Sequence, residues 1–153
     1  MGKPKYVYHG SGKELEGDKL IPKKATDLGE KSDNLLEGVY ASDMKDDAIA
    51  MGILSCKGVG SSSCGVYRKH STKVEAIIYD GWPQQDYFYL YTLSSKTFES
   101  RPRGSHQYVS LTPVKPEKIE RLAVKDYIYL VRRATEEEKK EWFGKYKHKI
   151  ESK

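Results

Sequence analysis

The chain is poor in the residues that staple or wire many small proteins. Its 153 residues include two cysteines, Cys56 and Cys64, and four histidines, with no familiar zinc-ligand spacing. No disulfide framework and no metal site are expected, and both cysteines read as free thiols. No stretch approaches the roughly 18 to 20 consecutive apolar residues of a membrane span. The opening MGKPKYVYHG runs into polar residues without an apolar leader. These absences predict a cytoplasmic chain with no membrane partner.

Tyrosine is what the chain has in excess, 12 against 3 Phe and 2 Trp, so most of its aromatic rings carry a hydroxyl that must reach water or a partner. Hydrophobic residues make up 37%, which is enough for one modest core and argues against wholesale disorder. The length fits a single domain. Lys and Arg outnumber Asp and Glu by 27 to 22, and the net charge of +5 favours anionic ligands without naming one.

Along the chain, Lys5–His9 reads as a strand stopped by Gly10-Ser11-Gly12. Residues 13–37 read mostly as a functional loop, with Leu20-Ile21 and Leu35-Leu36 as apolar pairs. Gly38–Ser42 reads as a second strand. A helix follows to about Leu54, capped by Ser42 or Asp43, with Met44, Ala48, Met51 and Leu54 on its packed face and Asp46 and Asp47 in its first turn. Residues 55–72, SCKGVGSSSCGVYRKHST, read as a mobile connection.

Further strands are expected at Val74–Tyr79, Tyr87–Leu93, Gln107–Leu111 and Tyr127–Arg132, with one turn near Lys115–Ile119. In the second of these, Tyr87, Tyr89 and Tyr91 alternate onto one face as a tyrosine ladder. Thr135 and Glu138 match a capping box opening a charged helix anchored by Trp142, Phe143 and Tyr146. It reads as a solvated terminal helix, with a nucleic-acid contact through Lys145, Lys147, His148 and Lys149 as the alternative. Residues 1–134 thus form the domain and 135–153 a terminal helix belonging to it. His70 and His106 read as solvated loop residues.

Three segments carry chemistry: Tyr8-His9-Gly10-Ser11, Gly38-Val39-Tyr40-Ala41-Ser42 with its helix, and His106-Gln107-Tyr108-Val109-Ser110 leading to Val114-Lys115-Pro116. Together, over roughly residues 6–125, they resemble the ADP-ribosyltransferase fold of the poly(ADP-ribose) polymerase and diphtheria-toxin branch. That signature is a His-Gly on the first strand, a Tyr in a Gly-x-Tyr-x strand before a helix, and a Glu opening a later strand.

The resemblance implies an α+β fold of two small antiparallel sheets around an NAD-sized cleft, with a few helices. It implies NAD as co-substrate and transfer of a single ADP-ribosyl group to an unidentified acceptor. His9 would donate a hydrogen bond to the adenosine-side ribose, and the Gly10 backbone would hold the nicotinamide carboxamide. Tyr40 would stack on the cationic ring, with Ser11 and Ser42 beside the same floor. The His9 imidazole and the Tyr40 phenol would face each other across the slot.

Gln107 stands where the family's catalytic Glu opens its strand, and a neutral amide supplies no charge to a cationic transition state. Two positions for the missing group remain open. One is Gln107 itself, as in mono-transferases that lack this Glu. The other is Glu99, because Tyr89–Leu93 followed by Thr97-Phe98-Glu99 is similar to the small rifamycin ADP-ribosyltransferases, which place their acid just after a Phe. Ala48 and Met51 replace a small hydroxyl residue and a second stacking tyrosine of the polymerases. The segment Val114-Lys115-Pro116 is also similar to the RNA 2′-phosphotransferases of the same fold, and loss of the acid suits a non-catalytic module that binds ADP-ribose, nucleic acid or protein.

Overall fold

Period-two alternation of apolar residues builds two sheets here, and one interior helix is wedged against both of them. The computed structural model describes residues 3–24, 37–65 and 73–151. In chain order the elements are β1 (Tyr6–Ser11), β2 (Lys23–Lys24), β3 (Glu37–Ser42), α1 (Lys45–Leu54), β4 (Val59–Gly65), β5 (Glu75–Gly81) and β6 (Tyr87–Ser94). After a 3₁₀ turn at Ser95–Thr97 come β7 (Phe98–Ser100), β8 (Gln107–Ser110), β9 (Lys118–Ala123) and the single-turn α2 (Val124–Tyr127). A second 3₁₀ turn, Ile128–Leu130, leads to β10 (Val131–Arg133) and α3 (Glu136–Glu151).

The first sheet has the order β7-β8-β3-β1-β6-β9, with β2 joined to β3. The second has the order β10-β5-β4, with β10 parallel to β5. The chain is therefore α+β and mostly sheet, but the sheets are not both small and antiparallel: the first has seven strands and the second is mixed.

Helix α1 lies against β1, β3 and β6 of one sheet and β4 and β5 of the other. Its Ala48, Ile49, Ala50 and Ile53 join Ala76 and Ile78 of β5, Phe88 and Leu90 of β6, and Val124 and Val131 in one buried cluster. Two covered sides explain why the expected stripe fails. Met51 is 49% exposed, whereas Ala48, Ile49, Ala50, Gly52 and Ile53 are all buried. Small residues let the helix sit close: a Cβ on Gly10 would collide with the Ala48 carbonyl oxygen and lie 2.7 Å from the Gly52 nitrogen.

On the reverse of the first sheet, Val7, Val39, Ala41, Tyr91, Leu93, Phe98 and Val114 form a second buried cluster. The tyrosine ladder is thus a core face at Tyr89 and Tyr91, while Tyr87 at its end is 46% exposed. The Tyr91 hydroxyl accepts from the Leu15 amide at 2.8 Å and reaches the Lys13 carbonyl at 3.3 Å. Leu15 and Leu20 pack on the same cluster, and Leu20 bridges to Val114. The first part of the expected loop is therefore a fixed cover; residues 25–36, including Leu35-Leu36, lie outside the described residues.

Other expectations are corrected by pairing. The segment read as a mobile connection contains β4, an edge strand held by β5 despite its poor strand-formers. Gly58 and Gly81, at φ +99° and +80°, supply the left-handed turns at one end of that pair. Residues 66–72, with Arg68 and His70, lie outside the described residues. Tyr127–Arg132 is a helical end, a 3₁₀ turn and only the start of a strand, while the charged Lys118–Ala123 is a full strand.

The capping box is present. Glu138 N–H donates to Thr135 Oγ1 (3.2 Å), and Thr135 N–H donates to Glu138 Oε1 (2.8 Å). Arg132 clamps the same carboxylate at 2.7 and 2.8 Å. That clamp, with the Thr135 amide, lowers the Glu138 pKa to about 2. The helix is anchored by Trp142, stacked on Tyr79 at 4.2 Å between ring centroids. The Tyr146 side chain lies outside the described residues.

Candidate functional site

Strand register decides which candidate residues meet. Tyr8 of β1 opposes Ser42 of β3, and Ser42 opposes Gln107 at the start of β8. One row over, Tyr40 opposes Val109, and Val109 opposes Glu99 of β7. Directly opposed residues of an antiparallel sheet project from the same face, as do residues two apart along a strand. Tyr40, Ser42, Gln107 and Glu99 therefore share one face, across three neighbouring strands.

His9 projects from the other face. Its ring lies 6.1 Å from that of Tyr91, a member of the second cluster, while Val39 and Ala41 on either side of Tyr40 point into that cluster too. The expectation that the imidazole and the phenol face each other is thus corrected. They are linked instead through the backbone, with His9 Nδ1 2.6 Å from the Tyr40 carbonyl oxygen. The alternation of β3 forces this arrangement, because Tyr40 is one residue from each of two buried neighbours.

That bond settles the imidazole's chemistry. A carbonyl only accepts, so Nδ1 carries the proton, and burial, with the Lys23 ammonium nearby, lowers the pKa of His9 and keeps the ring neutral. Nε2 is then unprotonated, so that atom is an acceptor and not the donor expected of His9.

Gly10 is explained first by packing, since the approach its missing side chain allows is that of α1. Ser11 Oγ accepts from Lys13 N–H (3.1 Å) and turns the chain after β1. Ser42 Oγ accepts from Met44 N–H (3.0 Å), whereas Met44, not Ser42 or Asp43, occupies the N-cap of α1. The Gln107 side-chain amide donates to the Arg101 carbonyl at 2.8 Å. Glu99 is exposed, its side chain at 77%, and lies 3.4 Å from the Arg101 guanidinium. The structure thus groups Tyr40, Ser42, Glu99 and Gln107, and leaves Ser11 and the His9 side chain outside that face.

Sequence reasoning missed His106. Rather than being solvated, its Nδ1 lies 2.8 Å from Asp43 Oδ1, the Asp43 amide donates to its carbonyl at 3.2 Å, and its Nε2 is buried. The pair ties the end of β3 to the start of β8 beside Gln107. Only the Ser42–Gln107 register, invisible in a single sequence, brings residues 43 and 106 together.

No cluster of His, Cys, Asp or Glu able to hold a metal occurs among the described residues. Neither thiol is activated: burial raises the Cys56 pKa to about 11, and burial with the Asp47 carboxylate raises that of Cys64. No helix among the described residues is long and apolar enough to cross a membrane. No family model matches the chain, and no curated protein or solved structure does.

Proposed function

We propose that the chain is an ADP-ribosyltransferase-like protein that uses NAD to transfer a single ADP-ribosyl group to an acceptor. One observation carries the reading: His9-Gly10, Tyr40 and Gln107, the three marks of the resemblance, fall on the consecutive neighbouring strands β1, β3 and β8, with Tyr8, Ser42 and Gln107 in one row. Tyr40 lies about thirty residues after His9 on the strand next to it, and Gln107 about 67 residues after Tyr40 on the strand next to that, which supports the reading.

NAD supplies a glycosidic bond whose cleavage releases nicotinamide and leaves a ribosyl cation to be captured. Tyr40, half-buried beside Ser42, offers an aromatic face to a flat cationic ring. His9, whose side chain lies on the other face of the sheet, acts through its bond to the Tyr40 carbonyl, which holds the strand that presents the phenol. Glu99, on the face of Tyr40, supplies the negative charge that Gln107 lacks, and Gln107, its amide tied to Arg101, positions rather than stabilises. The ion pair of Glu99 with Arg101 and the neutral Gln107 also suit a second reading, a module of this fold that binds ADP-ribose without turnover.

Incubation with NAD while nicotinamide release is followed separates these readings. Transfer predicts release that falls roughly 100-fold or more in Tyr40→Ala and in Glu99→Gln, the size of losing one stabilising group. Saturable binding of an NAD analogue without release selects the binding module. Movement of a 2′-phosphate from RNA to NAD selects a phosphotransferase. Absence of both binding and release overturns the proposal.

A further inference from the structure

We infer that a track of arginine-covered aromatic rings, on elements other than β3, β8 and β7, binds single-stranded nucleic acid. The track begins at Tyr87, 46% exposed at the start of β6, with the Arg121 guanidinium of the neighbouring strand β9 4.4 Å from its ring centre. Tyr87 lines a concavity of about 500 Å³ together with Trp82, Asp86, Lys125 and Ile128. Over the Trp82 ring, the Arg133 guanidinium lies 4.1 Å from its centre. Arg133 also lines a second, smaller concavity with Asp80 and Lys139.

The track thus alternates ring and cation: Arg121 with Tyr87, then Lys125, then Trp82 with Arg133, then Lys139. That pattern suits single strands, because an unstacked base presents a π-face to the guanidinium plane lying over each ring or to the exposed edge of the ring itself, while the phosphates meet the cations at the rims of the hollows. A duplex hides its base faces and lacks that complementarity. An acidic peptide would use the cations and leave the rings unused. Two hollows joined by Arg133 suit a polymer rather than one nucleotide. Asp80 and Asp86 repel phosphate but accept from exocyclic amino groups, so the bases, not the backbone, face the hollows.

The proposal stands apart from the NAD reading, and its test contains no NAD. The full chain is titrated onto a fluorescein-labelled uridine oligomer of about twelve nucleotides, and onto its DNA counterpart, at about 50 mM salt, with anisotropy as readout. Saturable binding is expected, weakened about tenfold by Tyr87→Ala and by Arg121→Glu, retained in Tyr87→Phe, and unchanged in Lys115→Ala, an exposed lysine off the track. With Lys139 paired to Glu136 at 3.5 Å, the other three cations neutralise three phosphates, and log affinity falls against log salt with a slope of about −2. Tyr87 and Arg121 are both exposed, so unchanged thermal unfolding accompanies these losses. The inference is overturned if a duplex binds as tightly, if polyglutamate displaces the oligomer at equal charge, if Tyr87→Ala binds like the parent, or if nothing binds.

Discussion

Strand β1 is held on its two flanks in different ways. Toward β6 an unbroken ladder runs from Tyr6–Ser94 to Ser11–Tyr89, and α1 lies so close over the strand that Gly10 has no room for a methyl group. Toward β3 a single opposed pair, Tyr8–Ser42, is followed by a side-chain bridge from His9 to the Tyr40 carbonyl. The first flank is backbone packed on backbone and has no slack. The second is a seam spanned by one imidazole, and the candidate residues gather along it and on the strands beyond. The candidate residues sit where regular pairing stops, and a seam leaves room for polar groups to meet something other than each other.

The sharpest way to break this contrast is Gly10→Val. The added atoms meet helix backbone, which cannot step aside, so a loss of about 3 kcal/mol is expected in urea unfolding. A fully tolerated valine would show that the ladder flank has slack after all.

Tyr91→Phe tests the cover on the reverse face. Removing the hydroxyl leaves the Leu15 amide and the Lys13 carbonyl without their partner, which costs about 1–2 kcal/mol and speeds proteolysis within residues 12–22. Equal cleavage rates in both proteins would mean that Leu15 and Leu20 alone hold the cover.

At the seam, His9 makes stability depend on pH. Its folded pKa lies below the ordinary 6.5, so the unfolded chain binds more protons once pH falls below 6.5. The stability conferred by the neutral ring is full above that value and is lost as pH drops toward the folded pKa. His9→Gln, which keeps a donor for the Tyr40 carbonyl, should flatten the slope between pH 7.5 and 5.5 in unfolding curves. An unchanged slope would assign it to another group.

The smallest effect belongs to Glu99→Gln. With its carboxylate exposed and only loosely paired with Arg101, unfolding free energy should shift by less than about 0.5 kcal/mol. A larger shift would make Glu99 a structural residue rather than one available for chemistry.

Legibility followed the same division. Strands with β-branched and aromatic alternation, β1, β5, β6 and β8, could be read directly, as could the capping box. Strand β4 was hidden because serine and glycine become a strand only when β5 is there to pair with, and β9 because its Lys118, Glu120 and Arg121 are the charges an edge strand tolerates. Tyr127–Arg132 misled in the opposite direction: three aromatic and β-branched residues in a row favour a strand, yet α2 and its 3₁₀ turn pack Tyr127, Ile128 and Leu130 against the cluster around α1. In the candidate site, the residues were readable one by one, but not the faces they occupy. Facing depends on which neighbours of Tyr40 are buried, and the His106–Asp43 pair depends on register between strands sixty residues apart.

The stacked Trp142 and Tyr79 have a spectroscopic use. The chain has two indoles, and they watch different places: one rests on β5 and senses whether α3 is docked, while the other lies beneath Arg133 on the rim of a hollow. Trp82→Phe or Trp142→Phe leaves a single indole, so tryptophan-selective fluorescence of the two variants side by side distinguishes undocking of the terminal helix from occupancy of that rim.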